Sequence, residues 1–383
     1  MRKYITIMLL VMFLATGCGT KREIEKLAIP VAMGIDLTAE GYYDISLEVL
    51  KSQKQSSGMS TSGGPKPPTD VDVVSLSGDT IYSALDNLSL QLGKQINLSH
   101  VNVVIVGEAA AKAGVASIID AGLRSHQFRP NTPILVTKEK ASKIIYAATP
   151  EDAITANIIK NILEQQAHYG KSPVITYLDF GNALASKTTS PIAGVISYQE
   201  NRQTGETLKI AGTAIFDKDR LIGYMDEGET RGMQWLRGNV TDGDIIIPSP
   251  EKSKITLRIT SASSKIKPVI ENNQLTMHVA IKEEGYTRNR EGTLDPMKDP
   301  AILKTLDELQ NRAIKNEIEK AIFAAQKKFK TDIFEFGEII HREYPNEWRN
   351  MEEKWNEIFP DLSIDVTVVS NIRRPGVIAK PLY

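Results

Sequence analysis

The chain has 383 residues, long enough for two or three domains. Its 46 Lys and Arg nearly balance 47 Asp and Glu, which argues against bulk nucleic-acid binding, since that needs a basic surface. A single cysteine excludes any intramolecular disulfide, so the folded body must stand on its hydrophobic cores.

The first predicted element is a leader. Met1-Arg2-Lys3 precedes an apolar run from Ile5 to Leu14, and Ala15-Thr16-Gly17 leads to Cys18. A positive start, a short apolar core and small residues before a cut make a secretory signal, here residues 1–17. The run is too short to span a bilayer, which takes ~20 residues. A cysteine at the first mature position is what lipoprotein processing requires, so Cys18 is the expected lipid attachment point, carrying S-diacylglycerol and N-acyl chains of the palmitate class. Buried acyl chains contribute ~0.8 kcal/mol per CH₂, and stable anchoring takes two of them. Ala15 stands where the usual lipobox has leucine, with Leu14 one step further out.

Gly19 to Lys26 is polar and reads as a tether. Ile29 to Ile35 reads as a buried strand, and Tyr42 to Leu50 alternates with Tyr43, Ile45, Leu47 and Val49 on one face, so the two predict an antiparallel hairpin through Thr38-Ala39-Glu40-Gly41. Residues 51–70, rich in Ser, Gly and Pro, are expected to form a flexible loop. A strand at Val71 to Leu76 follows, then a helix with Asp79 as N-cap and Ile81, Ala84, Leu85, Leu88 and Leu92 on its apolar face. Val101 to Val106 predicts a central strand, Ala109 to Leu123 a helix, Thr132 to Thr137 a strand and Glu139 to Ala148 a helix. Glu151 to Ala167 and Pro173 to Leu184 read as helices separated by Gly170.

Ile210 to Phe216 and Leu221 to Met225 are short apolar strands joined by Asp217-Lys218-Asp219-Arg220, and a helix is expected over Glu227 to Leu236. Strands are predicted at Ile255 to Ile259, Lys265 to Ile270 and Leu275 to Ile281. Pro300 to Phe329 reads as one long helix with Asp299 as cap. Asp332 with Glu335 has the spacing of a capping box for a helix whose inner face carries Ile333, Phe336 and Ile340. Trp348, Met351, Trp355, Ile358 and Phe359 form a further helical stripe, read as core rather than as a partner-binding face, and Leu362 to Val369 closes the chain as a strand.

The fold class expected is therefore α+β: a multidomain mixed α/β protein of about three domains, each sheet packed by helices. The units are 18–200, a middle hairpin and helix unit over 201–248, and a C-terminal α+β domain over 249–383.

The sequence carries no catalytic constellation of known spacing. Phosphate-loop, dinucleotide, nucleophile-elbow and zincin motifs are absent. His100, His126, His168, His278 and His341 lack metal-ligand spacing, so no catalytic residue, metal or cofactor is assigned. Glu283-Glu284 and Glu352-Glu353 read as solvated faces, and Arg373-Arg374 with Lys380 as a solvated tail.

Three stretches carry a resemblance. They are Arg22-Glu23-Ile24-Glu25-Lys26-Leu27-Ala28-Ile29-Pro30-Val31-Ala32-Met33-Gly34-Ile35-Asp36; Gly212-Thr213-Ala214-Ile215-Phe216-Asp217-Lys218-Asp219-Arg220-Leu221-Ile222-Gly223 with Glu229-Thr230-Arg231-Gly232; and Thr331-Asp332-Ile333-Phe334-Glu335-Phe336-Gly337 with Pro345, Trp348, Trp355 and Phe359. In this order, behind a cysteine poised for lipid, the chain resembles the Ger(x)C family, the C subunits of spore germinant receptors. It departs from that family in Gly19, where tryptophan is frequent, and in the long insertion. The resemblance implies three mixed domains without catalytic activity, on the outer face of the membrane. It implies partners, an A and a B subunit embedded in the spore inner membrane, in a complex triggered by nutrients; it leaves open whether this subunit touches the nutrient. From the residues alone, a lipoprotein solute-binding protein feeding a transporter is the second reading, and a lipoprotein hydrolase the third.

Overall fold

The computed structural model describes residues 24–51, 71–147, 154–201, 205–248, 254–272, 274–290 and 300–374. The expected leader with Cys18, the expected loop beyond Lys51, and the residues Asp299 and Lys380 lie outside them.

Strands β1 (Leu27–Ala28), β2 (Pro30–Leu37) and β3 (Tyr43–Leu50) open the fold. β2 and β3 form the expected hairpin, with Met33 opposite Leu47 and Ile35 opposite Ile45. Gly41, at φ 90°, supplies the left-handed residue its turn requires. β4 (Val71–Gly78) adds antiparallel to β3.

Helix α1 (Ile81–Leu92) buries Ile81, Ala84, Leu85 and Leu88. Its cap is Thr80, not the expected Asp79. Thr80 is extended, so its hydroxyl accepts from Ser83 N at 3.0 Å, and the Ser83 hydroxyl accepts from Thr80 N at 2.9 Å. β5 (Gln95–Ile96) pairs with β1. β6 (Val103–Gly107) is buried along its whole length, between β2 and β7 (Ile134–Thr137), and runs parallel to both.

The helix expected over 109–123 is two, α2 (Glu108–Ala113) and α3 (Ala116–Arg124). Gly114, at φ 132°, breaks them apart. Helix α4 (Ala141–Ile145) is shorter than expected, and α5 (Thr155–Tyr169) ends at Gly170 in the left-handed conformation. α6 (Tyr177–Ala185) starts late because Ile134 N donates to Ile175 O and Thr176 bridges to Pro133, which keeps that stretch extended.

β8 (Ile192–Asn201), β9 (Gly205–Asp217) and β10 (Arg220–Met225) complete an eight-stranded sheet of order β10-β9-β8-β7-β6-β2-β3-β4. β9 and β10 form the expected hairpin, and β9 also pairs antiparallel with β8, from Ile192 opposite Ile215 to Asn201 opposite Gly205, with a register shift between Gly194 and Ile196. A two-stranded hairpin is marginal alone; pairing with β8 supplies the missing backbone partners.

After α7 (Glu227–Leu236) comes a second sheet of order β11-β12-β13-β14, made of β11 (Gly243–Pro248), β12 (Lys254–Glu271), β13 (Gln274–Arg290) and β14 (Ser363–Arg374). The two strands expected between Ile255 and Ile270 are the single strand β12. A bulge between Ile259 and Ser261 shifts its phase, so the odd positions 255, 257 and 259 are buried while 263, 265 and 267 are exposed.

α8 (Pro300–Phe323) runs on into a π-helical turn over Ala324–Phe329 that stops at Lys330, at φ 55°. Short helices α9 (Phe336–Glu343), α10 (Pro345–Trp348) and α11 (Trp355–Ile358) precede β14, so the tryptophan stripe is broken into short turns. Trp348 and Trp355 are buried and meet edge to face at 5.3 Å, as core.

One apolar core lies between the large sheet and α1, α2, α3 and α6 and continues through α7 into the second sheet, α8 and the Phe334/Phe336/Phe359 cluster. Another lies on the opposite face, where Val103, Ile105 and Leu135 pack against α4 and α5. The fold is thus mixed α/β, with helices packed on its sheets, as expected.

Candidate functional site

Family-motif residues first show what they do locally. Gly34 passes beneath α4, where a Cβ would stand 3.0 Å from Ile145 Cγ1 and 3.2 Å from Ala141 Cβ. Asp36, buried, accepts from Ala141 N at 2.7 Å and Ser142 N at 2.9 Å. Gly212 stands at φ 88° with Met225 O 2.8 Å from where a Cβ would be. Gly232 lets α7 cross α8: a Cβ there would fall 1.9 Å from Glu317 O. These positions therefore serve backbone geometry and close packing.

Asp332 is not half of a capping box. Its carboxylate is buried and accepts from Phe334 N and Gly337 N, both at 2.9 Å, and from Trp355 Nε1 at 3.2 Å. Burial still outweighs these donors and pushes its pKa up to about 6. Glu335 turns away instead, at φ 65°, and its carboxylate meets Arg237.

Glu283 also departs from its expected solvated position. It is buried, whereas Glu284 is partly exposed and pairs with Arg373. Among the described residues neither Glu283 oxygen meets a donor at good geometry, and burial lifts its pKa to about 7 against the pull of Ser370 and Gln310. Glu352 pairs with Lys187 at 3.3 Å and Glu353 is exposed, as expected.

The histidines stay apart: His168 meets Thr241, His278 meets Asp365, and His341 stacks on Trp348. Among the described residues no group of three or more His, Cys, Asp or Glu could hold a metal. Likewise among them, no helix is long and apolar enough to cross a membrane.

What the tertiary fold does assemble is a cleft of about 640 Å³, between α6 and the segment that enters β8 on one side and Arg237, Asn239 and the start of α9 on the other. Its floor is Ile175, Phe180 and Ile192, with Thr189 and Ser190. The Ser190 hydroxyl is taken by Thr331 Oγ1, and the buried Thr189 Oγ1 has no partner among the described residues. The rim carries Asp179, Glu335 and Glu338.

Each rim residue is held. Asp179 Oδ2 accepts from Thr176 N at 3.1 Å and Thr176 Oγ1 at 2.7 Å, which fixes the start of α6. Glu338 Oε1 accepts from Ser186 Oγ at 2.7 Å and more weakly from Thr188 Oγ1 at 3.4 Å. Arg237 donates to Ile333 O at 3.1 Å and to Glu335 Oε1 at 2.6 Å, so its charge is committed. Sequence reading found none of these as site residues. Only Glu335 lay inside a family motif; the rest come from separate segments with no local signature.

Two family models match the chain, the spore germination protein N-terminal domain over residues 20–198 and the spore germination B3/GerAC-like C-terminal domain over 211–376. Spore germination protein KC of Bacillus subtilis (strain 168) is 30% identical, over 98% of this chain and 96% of that protein. Spore germination protein B3 of the same organism is 21% identical, over 98% of each. The crystal structure of the GerBC protein superposes with a TM-score of 0.58 at 18% identity, over 89% of this chain and 96% of that one, which shows a shared fold. Matched along nearly its whole length, the chain belongs to the B3/GerAC-like family of spore germination proteins, the Ger(x)C family that its motifs resemble.

Proposed function

We propose that this chain is a non-enzymatic lipoprotein subunit of a nutrient germinant receptor, required for spore germination. It is homologous to germinant receptor C subunits, and the observation that carries the reading is the full-length match to spore germination protein KC. In this reading acyl chains on Cys18 hold the folded body on the outer face of the spore inner membrane. Confinement beside the membrane raises its effective concentration toward membrane-embedded A and B subunits, so that weak contacts suffice for assembly. Gly212, Gly232 and Asp332 act as packing and capping elements, which suits a scaffold rather than an enzyme. A solute-binding protein built of two similar lobes fits less well, because the two large sheets differ in strand number and in order.

The test is genetic and biochemical. Deleting the gene is expected to abolish the response of spores to at least one nutrient in a panel, while germination by other routes persists. Cys18→Ala is expected to release the protein from the spore membrane fraction and to reproduce the deletion. Unchanged germination of the deletion strain across the panel would overturn the receptor reading; an unacylated mature N-terminus would overturn the anchor.

A further inference from the structure

We infer that the N-terminal half of α8, residues 300–314, is a proton-controlled latch: it closes on the second sheet while Glu283 is protonated and lifts when Glu283 ionises. The geometry of the joint carries this. β13 lies between β12 and β14, paired on both sides, and Glu283 stands opposite Ser370 of β14. α8 packs along β14 here and buries Gln310 completely. Among the described residues, both Glu283 oxygens, Gln310 Oε1 and Nε2, Ser370 Oγ and, further along β13, Thr287 Oγ1 are buried without a hydrogen-bond partner. The carboxylate fills the space over Gly285, where a Cβ would stand 2.7 Å from Glu283 Oε1 and 2.6 Å from Arg258 O.

Such a joint favours a neutral carboxyl, because a buried charge without donors carries a desolvation cost that the protonated acid avoids. The charged neighbours do not offset it. Burial, with the carboxyl groups of Asp307 on α8 and Glu284 on β13, pushes the Glu283 pKa up to about 7. Arg373 on β14 pairs with Glu284, while Arg258 on β12 and Arg288 on β13 pair with Asp242 and Asp244. Lys304 and Glu308 lie on the exposed side of α8.

The helix is held unevenly, which decides what moves. Its C-terminal half is pinned to α7, where Gly232 meets the Glu317 carbonyl and Trp235 Nε1 donates to Glu317 Oε2 at 2.9 Å. Its N-terminal half is held on the sheet by the buried Leu306 and by two side chains that cap edge-strand amides. Asp307 accepts from Ile372 N at 2.8 Å and Asn311 from Ser370 N at 2.6 Å. Moving β13 would break its ladders to both neighbours, so lifting residues 300–314 is the smaller movement that admits water to an ionised Glu283. The Ser370 and Ile372 amides then lose their acceptors.

This goes beyond the receptor reading and does not depend on it. The test is hydrogen exchange read by mass spectrometry on the full mature chain from pH 5.5 to 8, with each rate corrected for its intrinsic pH dependence. Closed, Glu283 holds its proton up to about pH 7; open, it titrates near the ordinary 4.5, so opening grows as pH rises between the two and levels off above. Peptides covering 303–314 and 366–374 are expected to lose protection by about tenfold between pH 5.5 and 7, with β6 peptides unchanged. Glu283→Gln is expected to keep that protection level across the range. Asp307→Asn, whose amide oxygen still accepts from Ile372 N, is expected to retain the pH dependence of the parent. Protection independent of pH in the parent chain overturns the inference, and that measurement needs no variant to fold. So does a pH dependence that survives Glu283→Gln, which would move the proton to Asp307 if Asp307→Asn removes it, or an equal loss in β6, which would be global unfolding.

Discussion

Asp36 accepts a 2.7 Å hydrogen bond from the backbone amide of Ala141, 105 residues further along the chain. Its second oxygen takes Ser142 N at 2.9 Å, so a carboxylate on β2 caps α4, whose own N-cap residue, Lys140, makes no side-chain cap. Glu48 on β3 repeats the device for α5, accepting from Thr155 N at 2.6 Å and Ala156 N at 2.9 Å. Both acids are buried and both meet the positive end of a helix. The sheet thus orients the two helices that cover one of its faces.

Removing that cap should cost stability. Asp36→Ala is expected to lower unfolding free energy by about 2 kcal/mol, and Asp36→Asn by less, because the amide oxygen still accepts one bond. Urea unfolding midpoints read this directly, and an unshifted midpoint for the alanine variant would remove Asp36 from the capping role.

Gly232→Ala should be worse than its single added methyl suggests. Backbone stands 1.9 Å from the new Cβ, at the Glu317 carbonyl, so α7 and α8 must separate. Overpacking of this kind costs about 1–3 kcal/mol. Gly212→Val combines the left-handed φ of 88° with a contact at Met225 O and is expected to reduce the level of folded protein more than it alters nutrient specificity. Thermal melts and soluble yield check both; a well-folded Gly212→Val protein with a changed nutrient response would reverse that ranking.

Glu283 should make stability depend on pH. Its folded pKa of about 7 lies above the ordinary value of 4.5, so the folded state holds its proton longer than the unfolded chain does. Stability contributed by the protonated form is therefore full below about pH 4.5, falls as pH rises toward 7, and levels off beyond. The fall is on the order of 3 kcal/mol. Asp332, raised to about 6, adds a loss of the same sign over a lower window. Glu283→Gln is expected to flatten the upper part of the profile and to be the more stable protein at pH 8. Denaturant titrations at pH 5, 6, 7 and 8 compare the slopes, and a variant as steep as the parent would contradict the assignment.

Asp332→Ala should loosen the turn that carries Glu335 and Glu338 to the cleft. It leaves Phe334 N, Gly337 N and Trp355 Nε1 without their buried acceptor. A loss of about 3 kcal/mol is expected, since each orphaned donor carries its own desolvation cost. Near-ultraviolet circular dichroism should report it through the Trp348 and Trp355 pair, and an unchanged spectrum and melting point would show that the turn holds without Asp332.

Periodicity read from the chain located most elements that the structure contains, including both hairpins, the α1 and α7 helices and the buried β6. Those signals are local: alternation at period two and stripes at helical spacing depend only on which face of one segment is apolar. The errors cluster where the backbone departs from the regular geometry that residue type and spacing alone suggest. Thr80 displaces Asp79 by one position of backbone geometry, Gly114 splits a helix that its apolar residues would allow, and the Ile259/Ser261 bulge joins what looked like two strands.

Sequence alone determined the leader pattern with Cys18, the family motifs, the mixed α/β class and the absence of a recognisable catalytic motif, because each is a matter of residue type and spacing. Tertiary structure alone decided that Glu283 is buried beside a partly exposed Glu284, that Asp36 and Glu48 cap helices about a hundred residues away, and that Asp179, Thr189, Arg237 and Glu338 share a cleft. A charge's environment is set by what packs against it, and in this chain the packing partners lie on other strands and helices, where no local pattern records them.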